Sequence, residues 1–310
     1  MRVFLAGATG VIGRRLLPML LASGHEVTGM TRTPEKLDGL RARGAEAVVA
    51  DALDAAAIGA AVADARPHAV IHQLTSLPPR IDPRKIERDF VLNDRLRCEG
   101  TNNLVQAAQA AGAERIIAQS VAFSYAPGPA GTVHGEQDPM LLDAPRPYGR
   151  SAKAVVELER TVLRAGGIVL RYGYFYGHGS SISKRGSMGQ DVARRRLPIV
   201  GTGAGVWSFV NVDDAARATV LALTHGASGP YNIVDDEPAP VSEWLPALAD
   251  ALGAPRPRRV PAFIARLAAG SYGVGLMTEA QGASNELAKR QLAWTPVHAT
   301  WREGFRDGLD

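Results

Sequence analysis

Short apolar runs alternate with longer amphipathic stretches along the first two-thirds of the chain. The runs are rich in β-branched residues and do not alternate with polar ones, which is typical of strands covered on both faces. Strands are predicted at Val3–Ala6, Glu26–Met30, Ala47–Ala50, Ala69–His72, Arg115–Gln119 and Ile168–Arg171, and helices near 11–23, 34–43, 54–64, 83–111 and 150–166. Because strands alternate with helices, the pattern predicts an α/β fold with a doubly wound, Rossmann-like parallel sheet.

The pattern becomes irregular in the last third of the chain. Gly, Ser and Arg are frequent through 173–206 without a clear period. Further elements are predicted as strands at Val206–Val210 and Tyr231–Val234 and as helices near 213–225 and 242–252. We therefore predict a dinucleotide-binding domain at 1–171. Residues 172–310 are expected to form mainly a smaller, irregular substrate lobe, interleaved with late strands of the main sheet.

Composition narrows the classes of protein. The 310 residues are 46% apolar, enough for a large core, and the 35 basic residues are scattered among 31 acidic ones, which disfavours a dedicated nucleic-acid binder. The single cysteine, Cys98, excludes an internal disulfide framework and a multi-cysteine metal site. No apolar run reaches the roughly 18 residues of a membrane span. The chain leads straight from Met1 into the first strand, so we expect no cleavable leader, no membrane partner and a cytoplasmic protein.

A glycine-rich turn joins the first predicted strand to the first predicted helix. Gly7 permits a tight turn, Gly10 lets the backbone approach a pyrophosphate, and Gly13 lets the helix pack against the strand. The helix N-terminus then presents free N–H groups to the anion. The motif predicts a bound dinucleotide, with a purely structural turn as the alternative. The candidate cofactor contacts here are Gly7, Thr9, Gly10, Val11, Ile12 and Gly13.

The end of the second strand favours NADP over NAD. NAD-selective sites usually carry Asp or Glu here for the ribose 2′-hydroxyl, whereas this chain carries Arg32, which can bind a 2′-phosphate. A solvated loop arginine is the alternative. Asp51, after the third strand, is a candidate either for the adenine amino group or for a helix cap, and Leu74, after the fourth strand, is a further candidate cofactor contact.

Several motifs across nearly the whole chain together resemble the extended short-chain dehydrogenase/reductase family, the NAD(P)-dependent epimerase/dehydratase group. They are Gly7-x-x-Gly10-x-x-Gly13, Val70-Ile71-His72, Glu99–Leu104, Leu170–Tyr172, Ser208–Asp214 and Leu292–Pro296. The resemblance implies a Ser or Thr after the fifth strand, then a Tyr and a Lys four residues apart on a helix. In the family the Tyr is the acid/base at the substrate oxygen, the hydroxyl residue orients that oxygen, and the Lys lowers the phenol pKa and holds the nicotinamide ribose.

The chain departs from this pattern at the Tyr and Lys. Tyr148 and Lys153 are the visible candidates, and they are five residues apart. Five residues turn about 140° past one full helical turn, against about 40° for four. The two side chains therefore separate, unless Tyr148 lies just before the helix or a one-residue π-bulge intervenes. Lys153 stays a candidate for the ribose contact, with a solvated helix lysine as the alternative.

The hydroxyl position and one helix position also differ. Counting back from Tyr125 places Val121 where the Ser belongs, with Ser120 and Ser124 beside it. The predicted catalytic residues are Tyr148, Lys153 and Ser120. Arg97 stands where the family commonly has Asn, and a cation there could bind cofactor phosphate or an acidic substrate.

Other groups are weaker candidates. His68 and His72 are four apart on a strand, roughly 13 Å, so no metal site is predicted. Stand-in proton donors are Tyr172, Tyr174, Tyr176 and Ser120, with buried structural tyrosines as the alternative for the three phenols. His178 is a candidate proton donor or substrate contact, or an inert loop histidine. Arg194–Arg196 could bind a phosphate or carboxylate of the substrate, or form a solvated helix face. Residues Ala262–Met277 are apolar and would suit the wall of a pocket, which makes a hydrophobic substrate as plausible as a sugar nucleotide.

The sequence therefore predicts an NADP(H)-dependent oxidoreductase that acts on a carbonyl or alcohol of a small molecule, with hydride transfer and Tyr148 as proton donor. The alternatives are a nucleotide-sugar epimerase or dehydratase, and a non-catalytic NADP-binding sensor or scaffold. No nucleic-acid partner is expected, and the resemblance implies a monomer or homodimer.

Overall fold

The computed structural model describes residues 1–129 and 131–310. Its strands are β1 Arg2–Ala6, β2 Glu26–Thr31, β3 Glu46–Val49, β4 Ala69–His72, β5 Arg115–Val121, β6 Val133–His134, β7 Ile168–Tyr172, β8 Tyr174–Tyr176, β9 Ile199–Val200, β10 Val206–Trp207, β11 Phe209–Asn211, β12 Gly229–Ile233, β13 Ala239–Pro240, β14 Arg259–Val260 and β15 Gly282–Ala283. Its α-helices are α1 Gly13–Ala22, α2 Leu37–Arg41, α3 Ala55–Ala65, α4 Ile86–Asp89, α5 Val91–Arg95, α6 Thr101–Ala110, α7 Gly149–Arg164, α8 Ser187–Ala193, α9 Val212–Leu221, α10 Val241–Ala251, α11 Ala262–Thr278, α12 Glu286–Gln291 and α13 Trp301–Asp307.

Seven of the strands form one parallel sheet in the order β12–β7–β5–β4–β1–β2–β3. The strand order reverses between β1 and β4, where Val3 pairs with Val27 on one side and Ala69 on the other. In doubly wound sheets, ligands bind beyond the carboxyl ends of the strands at this reversal. The predicted Rossmann-like fold is thus confirmed, and the sheet's last strand comes from beyond residue 171.

Helices cover both faces of the sheet, which explains the uninterrupted apolar strands. One face packs against α1 and α9, through buried residues such as Leu16 and Ala216. The other face packs against α3, α6 and α7, through residues such as Ile58 and Leu158. Both layers hold the strand ends at the reversal in a fixed position.

A separate aromatic core, which includes Phe209, Trp244 and Trp301, is formed by the later part of the chain, where the second lobe is predicted. Gly173 leads from β7 into β8, and β8 pairs with β11 in parallel. The predicted single strand Val206–Val210 is two strands, because β10 pairs with β13 and β11 with β8, with Ser208 between them. The division of the chain at residue 171 stays a prediction.

The long helix predicted over 83–111 is divided. It contains α4, α5 and α6, and a π-helical turn at Leu96–Gly100 joins α5 to α6. A π-turn holds one more residue than a regular helical turn, a departure that periodicity along the sequence does not reveal. Within the described residues, no helix combines the length and the apolar character that a bilayer crossing requires.

Candidate functional site

The glycine-rich turn lies at the strand-order reversal, between the carboxyl ends of β1 and β4. Gly7 has φ +92°, and a Cβ there would stand 2.7 Å from the Gln73 carbonyl oxygen. The Gly10 amide donates to the Gly7 carbonyl at 3.0 Å, and a Cβ on Gly13 would stand 2.2 Å from that same oxygen. The turn is thus built so tightly that only glycine fits at two of its positions, and its backbone faces the crevice.

The start of α1 is open to an anion. Among the described residues no side chain caps this helix, and Ile12 occupies the cap position. The Thr9 carbonyl accepts a hydrogen bond from the Arg14 Nε at 2.9 Å, which fixes the Thr9 backbone. Val11 is exposed. Uncapped amides and the positive end of the helix dipole suit a pyrophosphate, so this turn fits a dinucleotide cofactor.

His72 fixes the opposite wall of the crevice. Its Nδ1 accepts from the Leu74 amide at 3.1 Å, and its Nε2 lies 2.9 Å from the Thr101 hydroxyl. Burial, helped by the positive charge of Arg97, lowers the pKa of His72 to about 4. The ring is therefore neutral near pH 7, and it shapes the Leu74 backbone instead of acting as an acid.

The predicted adenosine-side residues lie at the ends of β2 and β3. Arg32 is exposed directly after Thr31, the last residue of β2. Asp51 accepts from the Leu53 amide at 3.0 Å and so fixes its own turn. The cap of α3 is Asp54, whose carboxylate accepts from two amides of the first turn, so the helix-cap role considered for Asp51 belongs to Asp54.

Tyr148 lies just before α7, at its cap position, and is buried. Lys153 is exposed on the other side of the helix, where it lines a surface depression with Glu87 and Arg146. The fully buried Ala152 is four residues from Tyr148, the family's lysine spacing, and packs in the same cluster as Tyr148. The structure therefore does not bring the predicted pair together, as the five-residue spacing indicates.

The hydroxyl beside Tyr148 is that of Ser124, at 3.4 Å between the two oxygens. The predicted Ser120 instead donates to Glu159 at 2.6 Å, and Glu159 forms a buried ion pair with Arg171 at 2.6 Å. Sequence reasoning named Ser124 only as a neighbour of the family's position. The sequence signal for Ser124 is its location in the turn after β5, where the strand pattern has ended.

Aromatic rings pack on and around Tyr148, in a region that we call the aromatic space. Tyr272 of α11 stacks on Tyr148 with ring centres 4.9 Å apart. Tyr174 is stacked on both faces, against Phe123 at 4.4 Å and Trp207 at 3.8 Å. These rings come from both halves of the chain. Tyr272 belongs to the segment 262–277, whose role as a pocket wall stays a prediction.

The phenols of Tyr174 and Tyr272 are protonated near neutral pH. Burial raises the pKa of Tyr174 far above its ordinary value, and the neighbouring Tyr148 adds to the shift. Burial likewise raises the pKa of Tyr272, with Tyr148 and Tyr174 adding to the shift and Arg97 opposing it. The Tyr174 hydroxyl is buried and has no partner among the described residues. It remains able to donate to a bound molecule.

The other candidates lie in structural settings. The Tyr172 hydroxyl lies 2.6 Å from that of Thr219, and Tyr176 packs in the separate aromatic core. His178 is exposed. His68 accepts from the Arg2 amide at the amino end of β1, remote from the crevice. Among the described residues no group of three potential metal ligands occurs.

Three comparisons place the chain among known proteins. The model of the NAD dependent epimerase/dehydratase family matches residues 3–234. A 3-diazoavenalumate denitrifying reductase from a Streptomyces species is 46% identical, over 98% of this chain and 99% of that protein. A Thermus thermophilus UDP-glucose 4-epimerase, solved with NAD, superposes with a TM-score of 0.77 at 24% identity, covering 100% of this chain and 98% of that one. A human epimerase family protein solved with NADPH superposes with a TM-score of 0.75 at 20% identity, covering 100% and 99%. The two structures show the same fold.

Proposed function

Since this chain belongs to the NAD-dependent epimerase/dehydratase family and is an NAD(P)-dependent enzyme of the extended short-chain dehydrogenase type, we propose that it is an NADPH-dependent reductase whose acceptor is a diazo group of a small molecule. The observation that carries the proposal is the residue one turn from Tyr148. It is Ala152, so the lysine that would activate the phenol for proton transfer is missing from this position. The 46% identical relative is a reductase whose name states a diazo substrate and the loss of nitrogen.

The choice of NADPH rests on Arg32. It is exposed at the end of β2, where a carboxylate would favour NAD and a guanidinium favours the extra phosphate. When bound, NADPH supplies a hydride. The chain's own part is to hold the dinucleotide by the turn Gly7–Gly13 and to shape the crevice with the neutral His72.

A diazo acceptor removes the need for a strong proton donor. An arenediazonium group is already positively charged, so its terminal nitrogen accepts a hydride without a proton from the protein. The two electrons form the N–H bond of an aryldiazene. The C–N bond then breaks, the hydrogen ends on the ring carbon and N2 leaves. One diazonium ion and one NADPH thus give one arene, one N2 and one NADP+.

Carbonyl reduction is the second candidate, and the contact between Ser124 and Tyr148 favours it. A ketone becomes an alkoxide as it accepts a hydride, so it needs a hydrogen-bond donor at its oxygen. Tyr148 and Ser124 together offer two hydroxyls for that oxygen. Epimerisation of a nucleotide sugar is less well supported, because it begins with removal of a proton and the phenol lacks its lysine.

The test is turnover by the purified protein with NADPH and a carboxylated arenediazonium salt that carries no ring hydroxyl, following NADPH absorbance and N2 release together. We expect equimolar loss of NADPH and release of N2. The proposal fails if the diazonium salt is inert while a ketone or a sugar nucleotide is turned over. We propose a cytoplasmic location, because such an enzyme needs a supply of NADPH. We propose a monomer or homodimer on the basis of the family resemblance.

A further inference from the structure

Arg97 is a half-buried cation whose role the fold does not explain. It lies in the π-turn Leu96–Gly100, which packs against α7, the helix that Tyr148 precedes. Within residues 1–129 and 131–310, no carboxylate lies within 4.0 Å of its guanidinium and no group accepts a hydrogen bond from it. Arg95, two residues earlier, is by contrast paired with Glu99 at 2.7 Å. Removing a guanidinium partly from water without a partner is costly, which indicates that a ligand supplies the partner.

The surroundings of Arg97 define the place of that ligand. Contacts one turn before and one turn after Arg97 fix its position. Asp94 accepts from the Ser151 hydroxyl at 3.0 Å near the start of α7, and the Thr101 hydroxyl lies 2.9 Å from His72 at the end of β4. Tyr148 directly precedes α7 and stacks on Tyr272. Arg97 therefore lies between the end of β4 and the start of α7, and its positive charge acts on both His72 and Tyr272.

A second observation points independently to a ligand in the same space. The hydroxyl of Tyr174 is buried and unpartnered in the described structure. The Tyr174 ring is stacked between Phe123 and Trp207, and Phe123 directly precedes Ser124, which contacts Tyr148. With both faces of the ring covered, the hydroxyl is the part of this side chain whose hydrogen-bonding capacity is unused.

We propose that Arg97 is the anchor for a carboxylate of the substrate, and that the substrate is an aromatic acid whose ring lies against Tyr148 and Tyr272. A guanidinium binds a carboxylate through two parallel hydrogen bonds, and the flat faces of tyrosines favour a flat ring. The buried Tyr174 hydroxyl donates to a polar substituent of that ring. The inference rests on the proposed function only in taking this region as the substrate site. It concerns binding of the carboxylate and does not depend on which substrate group accepts the hydride.

Cofactor phosphate is the rival partner for Arg97. The pyrophosphate already has the uncapped amides of α1 and the 2′-phosphate has Arg32, so the cofactor's anions are accounted for. Arg97 follows by one turn Asp94, which contacts Ser151 near the start of α7, so it lies toward Tyr148 on the substrate side of the crevice.

The experiment measures binding rather than turnover, with 4-hydroxycinnamate and its methyl ester as probes. Affinities are taken by calorimetry on the NADP+-loaded protein and its variants Arg97→Gln and Arg95→Ala. In the unaltered protein we expect the acid to bind about 10- to 100-fold more tightly than the ester. In Arg97→Gln the difference disappears, while the affinity for NADP+ stays within about twofold. Arg95→Ala, the matched control, keeps the preference for the acid.

Three results overturn the inference: equal binding of acid and ester by the unaltered protein, an unchanged preference in Arg97→Gln, or a loss of NADP+ affinity in that variant in place of the loss for the acid. Arg97→Lys covers the case in which Arg97→Gln fails to fold. It keeps the charge but not the paired geometry, and we expect it to retain part of the preference. If the acid binds as expected but no diazo compound is reduced, the proposed function fails and the carboxylate site stands.

Discussion

The hydroxyl oxygens of Ser124 and Tyr148 lie 3.4 Å apart, although 24 residues separate them along the chain. Ser124 belongs to the turn after β5 and Tyr148 to the turn before α7. Both side chains are buried, so the pair is oriented before any ligand arrives. Because no lysine lies beside this pair, reduction of a ketone and reduction of a diazonium ion should depend on it differently. Substitutions can therefore distinguish the two acceptors.

Tyr148→Phe is expected to affect the two candidate acceptors differently. Loss of the phenol removes the proton donor, so any ketone reduction should fall by about 100- to 10,000-fold in kcat/KM. Reduction of a diazonium ion should change by less than about fivefold, because it draws no proton from the protein. The measurement is kcat/KM for both substrates in one preparation. An equal fall for both would contradict the proposed acceptor.

Lys153→Ala is expected to leave the enzyme nearly unchanged. The ammonium group is exposed on α7 and lines an outer depression, so its loss should shift the Kd for NADPH and the turnover rate by less than about twofold. Arg160→Ala, another exposed cation of α7, serves as the control. A tenfold weaker affinity for NADPH in the lysine variant alone would show that Lys153 does reach the ribose.

Gly7→Ala should weaken both the fold and cofactor binding. The residue has φ +92°, and the added Cβ would meet the Gln73 carbonyl oxygen at 2.7 Å. We expect a loss of about 1–3 kcal/mol in the free energy of unfolding and a clearly higher Kd for NADPH. Gly24→Ala is the matched control, since Gly24 has φ +76° but open space around it. Thermal unfolding should show the smaller loss in the control, and calorimetry should show its cofactor affinity intact.

Arg32→Ala tests the cofactor preference. Removing the guanidinium should weaken NADPH about 10- to 100-fold and leave NADH within about twofold, because only NADPH carries the 2′-phosphate. Titration of both cofactors gives the two dissociation constants. Arg43→Ala removes another exposed arginine of the same half as a control for net charge. If the substitution weakens both cofactors equally, Arg32 does not select between them.

The stability of the protein should fall in mild acid because of His72, whose pKa burial lowers to about 4. Above about pH 6.5 the ring is neutral in both folded and unfolded chains, so its contribution is fully present. As the pH falls toward 4, the unfolded chain takes up a proton that the folded chain does not, and up to about 3 kcal/mol is lost. Denaturant unfolding across this range should show a flatter pH dependence for His72→Gln, but not for the exposed His178→Gln. Parallel curves for all three proteins would contradict the prediction.

The features that the sequence predicts correctly come from local patterns. The turn Gly7–Gly13 can be identified because strand, glycines and helix follow one another directly, and the alternation of strands with helices predicts the parallel sheet. The relation of Tyr148 to Lys153 could not be settled in this way, because the sequence does not show that Tyr148 lies just before α7.

The features that the sequence does not reveal depend on contacts between distant segments. Tyr272 stacks on Tyr148 from 124 residues away, and Trp207 stacks on Tyr174 because β11, which begins two residues after Trp207, pairs with β8. The hydroxyl of Ser120 is drawn to Glu159, which itself is fixed by Arg171 from β7. No periodicity in the chain records such contacts, since tertiary packing decides them.

The π-turn at Leu96–Gly100 contains one extra residue, so a single deletion there can change the direction of Arg97. Each residue of a helix adds about 100° of rotation, so removing one residue between Arg97 and α6 would restore regular winding and turn Arg97 by about 100° relative to α6. A deletion of a single codon here would therefore move the charge of Arg97 without exchanging any other side chain.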